Sequence, residues 1–277
     1  MRIYRTDRGD VVEHDGECFE LRGLPRAAGA WRAHALDELA RGRAARVADP
    51  RDGALLAPLA TRPGKMLALG KNFRAHAEEF GEAVPEEPLF FNKLPETVVG
   101  SGARVAVRAW YAQRVDHEVE LAVVIGRGGA DISLEHALEH VAGYTVANDL
   151  TARSLQGHDR ELKYPWFRAK NMDGFCPLGP CFVPREDLDL ADLAVTCVVR
   201  HADGATEERQ RASTRDLVVD VPHAIEWLSR HLSLYAGDVI LMGTPAGVGP
   251  LVDGDTVTCA IDGIGALVTA IARPALT

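Results

Sequence analysis

Residues 115–126 read VDHEVELAVVIG. Strand side chains alternate between two faces. His117, Val119, Leu121, Val123 and Ile125 therefore point one way, and four of these five are apolar, which makes theirs a core face. Glu118, Glu120, Ala122 and Val124 point the other way, a face half charged and half small or apolar. The two glutamates lie about 6.6 Å apart along such a strand. Carboxylates that close repel unless something neutralises them. One reading is a solvated face with each glutamate paired to Lys or Arg. The other is a divalent cation, since Mg²⁺ and Ca²⁺ take oxygen ligands.

A third carboxylate follows. GYTVANDLTARSLQ reads as a strand ending at Asn148 and Asp149, then a helix. Asp149 is placed either to cap that helix or to reach the face of a neighbouring strand.

The surroundings restrict the class. The chain has 277 residues, is 47% hydrophobic, and carries a net charge of −9. That suffices for a sizeable core and argues against a nucleic-acid or acidic-membrane partner, which a basic face would serve. A local cluster of Arg, Lys or metal still permits an anionic substrate. No apolar run approaches the roughly 18 residues of a membrane helix. The opening MRIYRTDRGD lacks the apolar middle of a secretion signal. A cytoplasmic setting is expected. The five cysteines, Cys18, Cys176, Cys181, Cys197 and Cys259, are scattered without a C-x-x-C and read as reduced thiols.

Residues 1–60 read as a small unit of short strands followed by a helix with Trp31, Leu36 and Leu39 on one side, then a Pro/Gly-rich linker. From Met66 onward strands dominate, with amphipathic helices at SLEHALEHV and DVPHAIEWLSRHL. Helices do not alternate regularly with strands, so a mixed or mainly antiparallel architecture is expected rather than a doubly wound parallel sheet. This is an α+β, mainly β fold.

Other residues carry chemistry or merely resemble it. His76 and Glu79, three apart on a helix, make a general-base arrangement or a surface pair. Lys170 is an oxyanion partner or a surface charge. Thr244 lies on a glycine-rich turn that either presents N–H groups to an anion or is only a turn. GRGGAD lacks the third glycine of a dinucleotide fingerprint, Asp131 standing there. HALEH matches H-x-x-E-H, but Leu134, Ala137, Leu138 and Val141 read as its core face, leaving His136 and His140 solvated.

Six ordered motifs between residues 64 and 273 resemble the fumarylacetoacetate hydrolase family: LGKNFRAHAEE, PLFFNK, HEVEL, GYTVANDLTARSLQ, AKNMDGFCPLGP and GDVILMGTPAGVGP. Phe73, Met172 and Met242 depart from its commoner residues without removing a proposed ligand. The resemblance implies a mixed β-roll-like domain over 61–277, a small N-terminal α/β domain over 1–60, and a homodimer. It implies Glu118, Glu120 and Asp149 as ligands of Mg²⁺, with Mn²⁺ or Ca²⁺ as substitutes. It implies His76 and Glu79 as the water-activating pair, Lys170 as a catalytic lysine, and Lys93, Arg153, Gln156 and Thr244 as contacts to a small anionic 2-oxo acid. The implied reaction is hydrolysis of a C–C bond in a 2,4-dioxo acid of the acylpyruvate or fumarylpyruvate type, through a metal-stabilised enolate. Isomerisation of 2-hydroxyhepta-2,4-diene-1,7-dioate and decarboxylation of oxaloacetate are the alternatives within the family. A non-catalytic metal-binding protein is the alternative outside it.

Overall fold

A computed structural model of the chain describes residues 1–81 and 83–273. The principal strands are β1 (Arg2–Thr6), β2 (Gly9–His14), β3 (Glu17–Leu21), β4 (Met66–Gly70), β5 (Leu89–Lys93), β6 (Val119–Ile125), β7 (Val141–Asn148), β8 (Cys176–Pro184), β9 (Ala194–Arg200), β10 (Thr206–Ser213), β11 (Val239–Leu241), β12 (Thr256–Ile261) and β13 (Gly265–Ala272). The helices are α1 (Trp31–Ala40), α2 (Arg74–Glu79), α3 (Arg153–Glu161), α4 (Phe167–Lys170) and α5 (Val221–His231). The protein is α+β and mainly β, as expected.

The larger sheet runs β3-β2-β1-β8-β7-β6-β11-β4-β5. Its pairs are antiparallel except β11 with β4 and the short strand Val98–Val99 with β8. A second sheet runs β10-β9-β12-β13 and ends on Arg104–Ala106. The second sheet covers one face of the first. Val119, Leu121, Val123 and Ile125 of β6 share a core with Val195, Cys197, Val257, Cys259 and Leu267. This is the core face read from the alternation.

The other face of β6 is also buried. Ala122 and Val124 share a second core with Ile3, Val12, Trp31 and Leu59. Trp31 of α1 meets Phe182 of β8 edge to face, ring centroids 5.0 Å apart. Residues 1–60 thus cover this face, and their strands join the larger sheet through Ile3 opposite Phe182. The stretch read as a linker holds the short strand Leu55–Leu56, which pairs with β1. On α1 the fully buried positions are Trp31 and Ala35, one helical turn apart, and Leu36 and Leu39 are half-buried.

One helix differs from its sequence reading. Leu134–His140 winds as a 3-10 helix rather than an amphipathic α-helix. Leu134 and Leu138 are exposed, while Ala137 and His140 are buried. A 3-10 turn advances with a period of three residues, so the stripe predicted for 3.6 residues per turn rotates outward. His140 packs inward because its Nδ1 lies 2.8 Å from the Arg127 carbonyl. His136 faces solvent, and no metal-ligand cluster forms there among the described residues. No described helix is long and apolar enough to cross a membrane.

Candidate metal centre and cavity

Register brings the acids together. Val119 lies opposite Asn148 and Glu120 opposite Ala147. The Asp149 amide then donates to the Glu118 carbonyl at 2.8 Å, and the Asn148 side chain accepts from the Glu118 amide at 3.0 Å. These bonds hold the end of β7 against the start of β6. Glu118, Glu120 and Asp149 are buried, with a ligand atom of each within 4.8 Å of the others. Among the described residues this is the one cluster of three or more potential metal ligands.

Cations surround the cluster. The Lys170 ammonium, delivered by α4, donates to Glu118 at 2.7 Å and to Asp149 at 2.6 Å. Arg153 opens α3, donating to Glu118, to Asp116 at 2.8 Å and to Gln156 at 2.7 Å. Asp116, fully buried, is also held by Arg114 at 2.6 Å. Lys93 stands behind Asp149 rather than in the cavity wall. It is 1% exposed and donates to Asp149 at 2.5 Å and to the Lys170 carbonyl at 2.6 Å.

The acids are not equivalent. Burial would raise the Glu118 carboxyl, but Lys170 and Arg153 hold it below the usual range. Burial raises the Glu120 carboxyl well above that range, and the charges of Asp149 and Glu118 raise it further. Its own donor is the Gly243 amide, at 2.7 Å. Gly243 adopts φ +87°, and a Cβ there would lie 2.8 Å from the Asn72 Cβ. Only glycine lets this turn approach so closely. Glu120 itself has a backbone amide and, among the described residues, no cationic hydrogen-bond partner, and the donors of the set are all hard oxygens. A divalent cation fits both conditions. Burial lowers the Lys170 ammonium, yet Asp149 and Glu118 outweigh it and keep the charge.

The acids open onto a cavity of about 180 Å³. His76, Arg153, Gln156, Lys170 and Thr244 line it with them. The His76 Nδ1 lies 3.3 Å from Glu79, whose other oxygen accepts from the Gly247 amide at 3.2 Å. Burial holds the His76 imidazole below its ordinary value. Phe91 and Trp166 form an apolar wall, ring centroids 5.6 Å apart.

Sequence reasoning missed Gln210. It is buried on β10, accepts from the Val119 amide at 3.2 Å, and donates to Thr244 at 2.8 Å and to the Pro245 carbonyl at 2.7 Å. Its oxygen also lies 3.0 Å from the Nδ1 of His117, so it ties the carboxylate strand to the glycine-rich turn. Its strand, TEERQRAS, is polar apart from Ala212 and does not mark Gln210 as an inward position.

Residues 65–272 match the family model described as fumarylacetoacetate (FAA) hydrolase C-terminal. A mitochondrial oxaloacetate decarboxylase of Dictyostelium discoideum is 38% identical over 201 residues, covering 72% of this chain and 89% of that protein. The solved 2-hydroxyhepta-2,4-diene-1,7-dioate isomerase of Mycobacterium marinum superposes with a TM-score of 0.76 at 32% identity, over 99% of both chains. A fumarylpyruvate hydrolase of Pseudomonas aeruginosa, solved with Mn²⁺ and pyruvate, gives 0.70 at 36% identity over 76% of this chain and 90% of that one. These relatives are enzymes of three reaction types around one fold. The protein belongs to the fumarylacetoacetate hydrolase family.

Proposed function

We propose that this protein is a divalent-cation-dependent hydrolase that cleaves a C–C bond in a 2,4-dioxo acid of the acylpyruvate or fumarylpyruvate type. The observation that carries the reading is His76, paired with Glu79, in the lining of the same cavity as three buried carboxylates and Lys170. Glu118, Glu120 and Asp149 would hold Mg²⁺, with Mn²⁺ or Ca²⁺ as substitutes. When bound, the ion supplies Lewis-acid polarisation of a 2-oxo acid.

The remaining chemistry belongs to the side chains. With Nδ1–H turned to Glu79, the Nε2 of His76 is left as the acceptor that takes a proton from water. Its depressed pKa keeps it neutral and ready near neutral pH. The water attacks the distal carbonyl, and the C–C bond breaks towards the 2-oxo acid half. Lys170 spends two donors on Glu118 and Asp149. Its third N–H is left for the negative charge that develops on the departing half. Arg153, Gln156 and Thr244 orient the substrate. Lys93 positions Asp149. The chain is expected to work in the cytoplasm as a homodimer.

Isomerisation or decarboxylation of a related 2-oxo acid is the second reading. It is favoured by the 38% identity to an oxaloacetate decarboxylase. The cation cluster and Lys170 serve either reaction, whereas the His76–Glu79 pair serves hydrolysis.

The test sets acetylpyruvate, fumarylpyruvate, oxaloacetate and 2-hydroxyhepta-2,4-diene-1,7-dioate side by side, with Mg²⁺ and after chelation. Turnover of a 2,4-dioxo acid that vanishes with chelation and returns with Mg²⁺ supports the reading. Undiminished turnover in cation-free buffer sinks it. His76→Ala is expected to cut hydrolysis roughly 10²–10⁴-fold while calorimetric Mg²⁺ binding persists. Equal loss of both would remove His76 from the role of general base.

A further inference from the structure

The pairing of β9 with β10 is interrupted at one point. It steps from Cys197 opposite Gln210 to Val198 opposite Glu208, so Arg209 is an extra residue. A bulge of this kind re-aims a neighbouring side chain. Here Gln210 is 1% exposed, although Glu208 and Arg211 on the same strand are exposed.

The glycine-rich turn at 242–247 is seated on the bulge. Gly247 adopts φ +99°, and a Cβ there would lie 1.9 Å from the Arg209 carbonyl oxygen. The two backbones meet, and the Gln210 side chain reaches from one to the other.

Backbone groups fix which way the Gln210 amide faces. The Val119 amide can only donate, so the Gln210 oxygen faces it, at 3.2 Å. The Pro245 carbonyl can only accept, so the Gln210 nitrogen faces that, at 2.7 Å. Turning the amide over would set like groups against each other at both ends. The oxygen's second neighbour is the Nδ1 of His117, at 3.0 Å. The nitrogen gives its second hydrogen to the Thr244 hydroxyl oxygen, at 2.8 Å. Both hydrogens of the amide are thereby committed.

Thr244 inherits this polarity. Its oxygen receives a hydrogen from Gln210, so its own O–H is aimed elsewhere, and no group among the described residues accepts it. Thr244 is 3% exposed and lines the cavity together with Arg153 and Lys170. A buried hydroxyl needs an acceptor, and a ligand in the cavity can supply one.

We propose that Gln210 is a positioning residue that fixes Thr244 as a hydrogen-bond donor into the cavity, where its O–H meets an anionic oxygen of the 2-oxo acid. This role rests on the 2-oxo acid reading above and adds to it a residue that touches neither cation nor substrate.

The test is a double-mutant cycle on pyruvate binding, measured by calorimetry at saturating Mg²⁺. Pyruvate carries the 2-oxo acid head and lacks the 4-oxo group that cleavage needs. Thr244→Val removes the hydroxyl and is expected to weaken pyruvate about tenfold or more, the scale of a hydrogen bond to a charged group. Gln210→Met removes both donors and is expected to weaken it several-fold while Mg²⁺ affinity is retained. The double variant is expected to bind like Thr244→Val alone, because Gln210 acts through that hydroxyl. Gln210→Asn, whose shorter amide cannot span to Thr244, repeats the result. Losses that multiply in the double variant, or an unchanged pyruvate affinity in Gln210→Met, overturn the role. Loss of the fold or of Mg²⁺ binding in both Gln210 variants overturns it equally, making Gln210 a support of the carboxylate strand. If the wild type binds Mg²⁺ but not pyruvate, the 2-oxo acid reading has failed and the role with it.

Discussion

Glu120 carries the strongest electrostatic conflict of the site. Its neighbours Glu118 and Asp149 are each satisfied by ammonium or guanidinium groups, while it has a backbone amide. Glu120→Gln keeps the shape and removes the charge. It is expected to weaken Mg²⁺ at least tenfold by calorimetry, and an unchanged affinity would show that the ion does not use this side chain. Lys93 gives the opposite case. Lys93→Met strips Asp149 of one of two buried partners, a loss of about 3 kcal/mol in cation-free buffer. Added Mg²⁺ then meets one less positive charge and should raise the melting temperature more than it does for wild type. An equal rise would contradict this account. As the proposed base, His76 is expected to set the pH dependence. Its burial lowers the imidazole pKa, so the neutral base persists as pH falls and is lost only below the ordinary histidine value of about 6.5. The acid limb of kcat/KM is therefore expected below that value, and a limb above it would assign the titration to another group.

At the scale of elements, β6 and β7 bring the three carboxylates together, and the closeness of β7 to β8 is strict. A Cβ on Gly143 of β7 would collide with the Val183 carbonyl and lie 2.5 Å from the Phe182 ring. Gly143→Ala is expected to cost about 3 kcal/mol or more in chemical denaturation, and an unshifted midpoint would mean the strands separate freely. Much of the β6–β7 pair is legible in the sequence. Alternation in HEVELAVVI marks the core face, and GYTVAND marks a strand ending at the third acid. What lies beyond a local reading is the cover on the second face of β6, because Ala122 and Val124 are buried in part by Ile3, Val12, Trp31 and Leu59, all more than sixty positions away. The same limit hides Gln210, whose inward turn depends on its partners on β6 and the Thr244 turn. The turn at Leu134–His140 fails differently. Its apolar spacing suits an α-helix, but backbone bonds from Gly129 to Leu234 and from Asp131 to Ser229 anchor the segment against the end of α5 and the chain just beyond it. Tertiary context there overrides a weak propensity.

Over the whole molecule, two interiors are divided by the sheet that carries the acids. Trp31, Ile3 and Val12 lie in the same interior as Ala122, Ala147 and Leu241. Unfolding is therefore expected as one calorimetric transition, with Trp31→Ala lowering stability by about 3–5 kcal/mol. Two resolved transitions, only the first moved by the substitution, would show that residues 1–60 melt independently. The position of Glu118 and Glu120 between these interiors also bears on how the chain finds its pairing. A slip of β6 by one residue exchanges its two faces, driving both glutamates into the interior of Val195, Val257 and Leu267, far from Lys170 and Arg153. A misthreaded hairpin would leave both carboxylates buried without a counterion, a costly arrangement. The carboxylates proposed to hold the cation would thus also disfavour mispairing while the sheet forms.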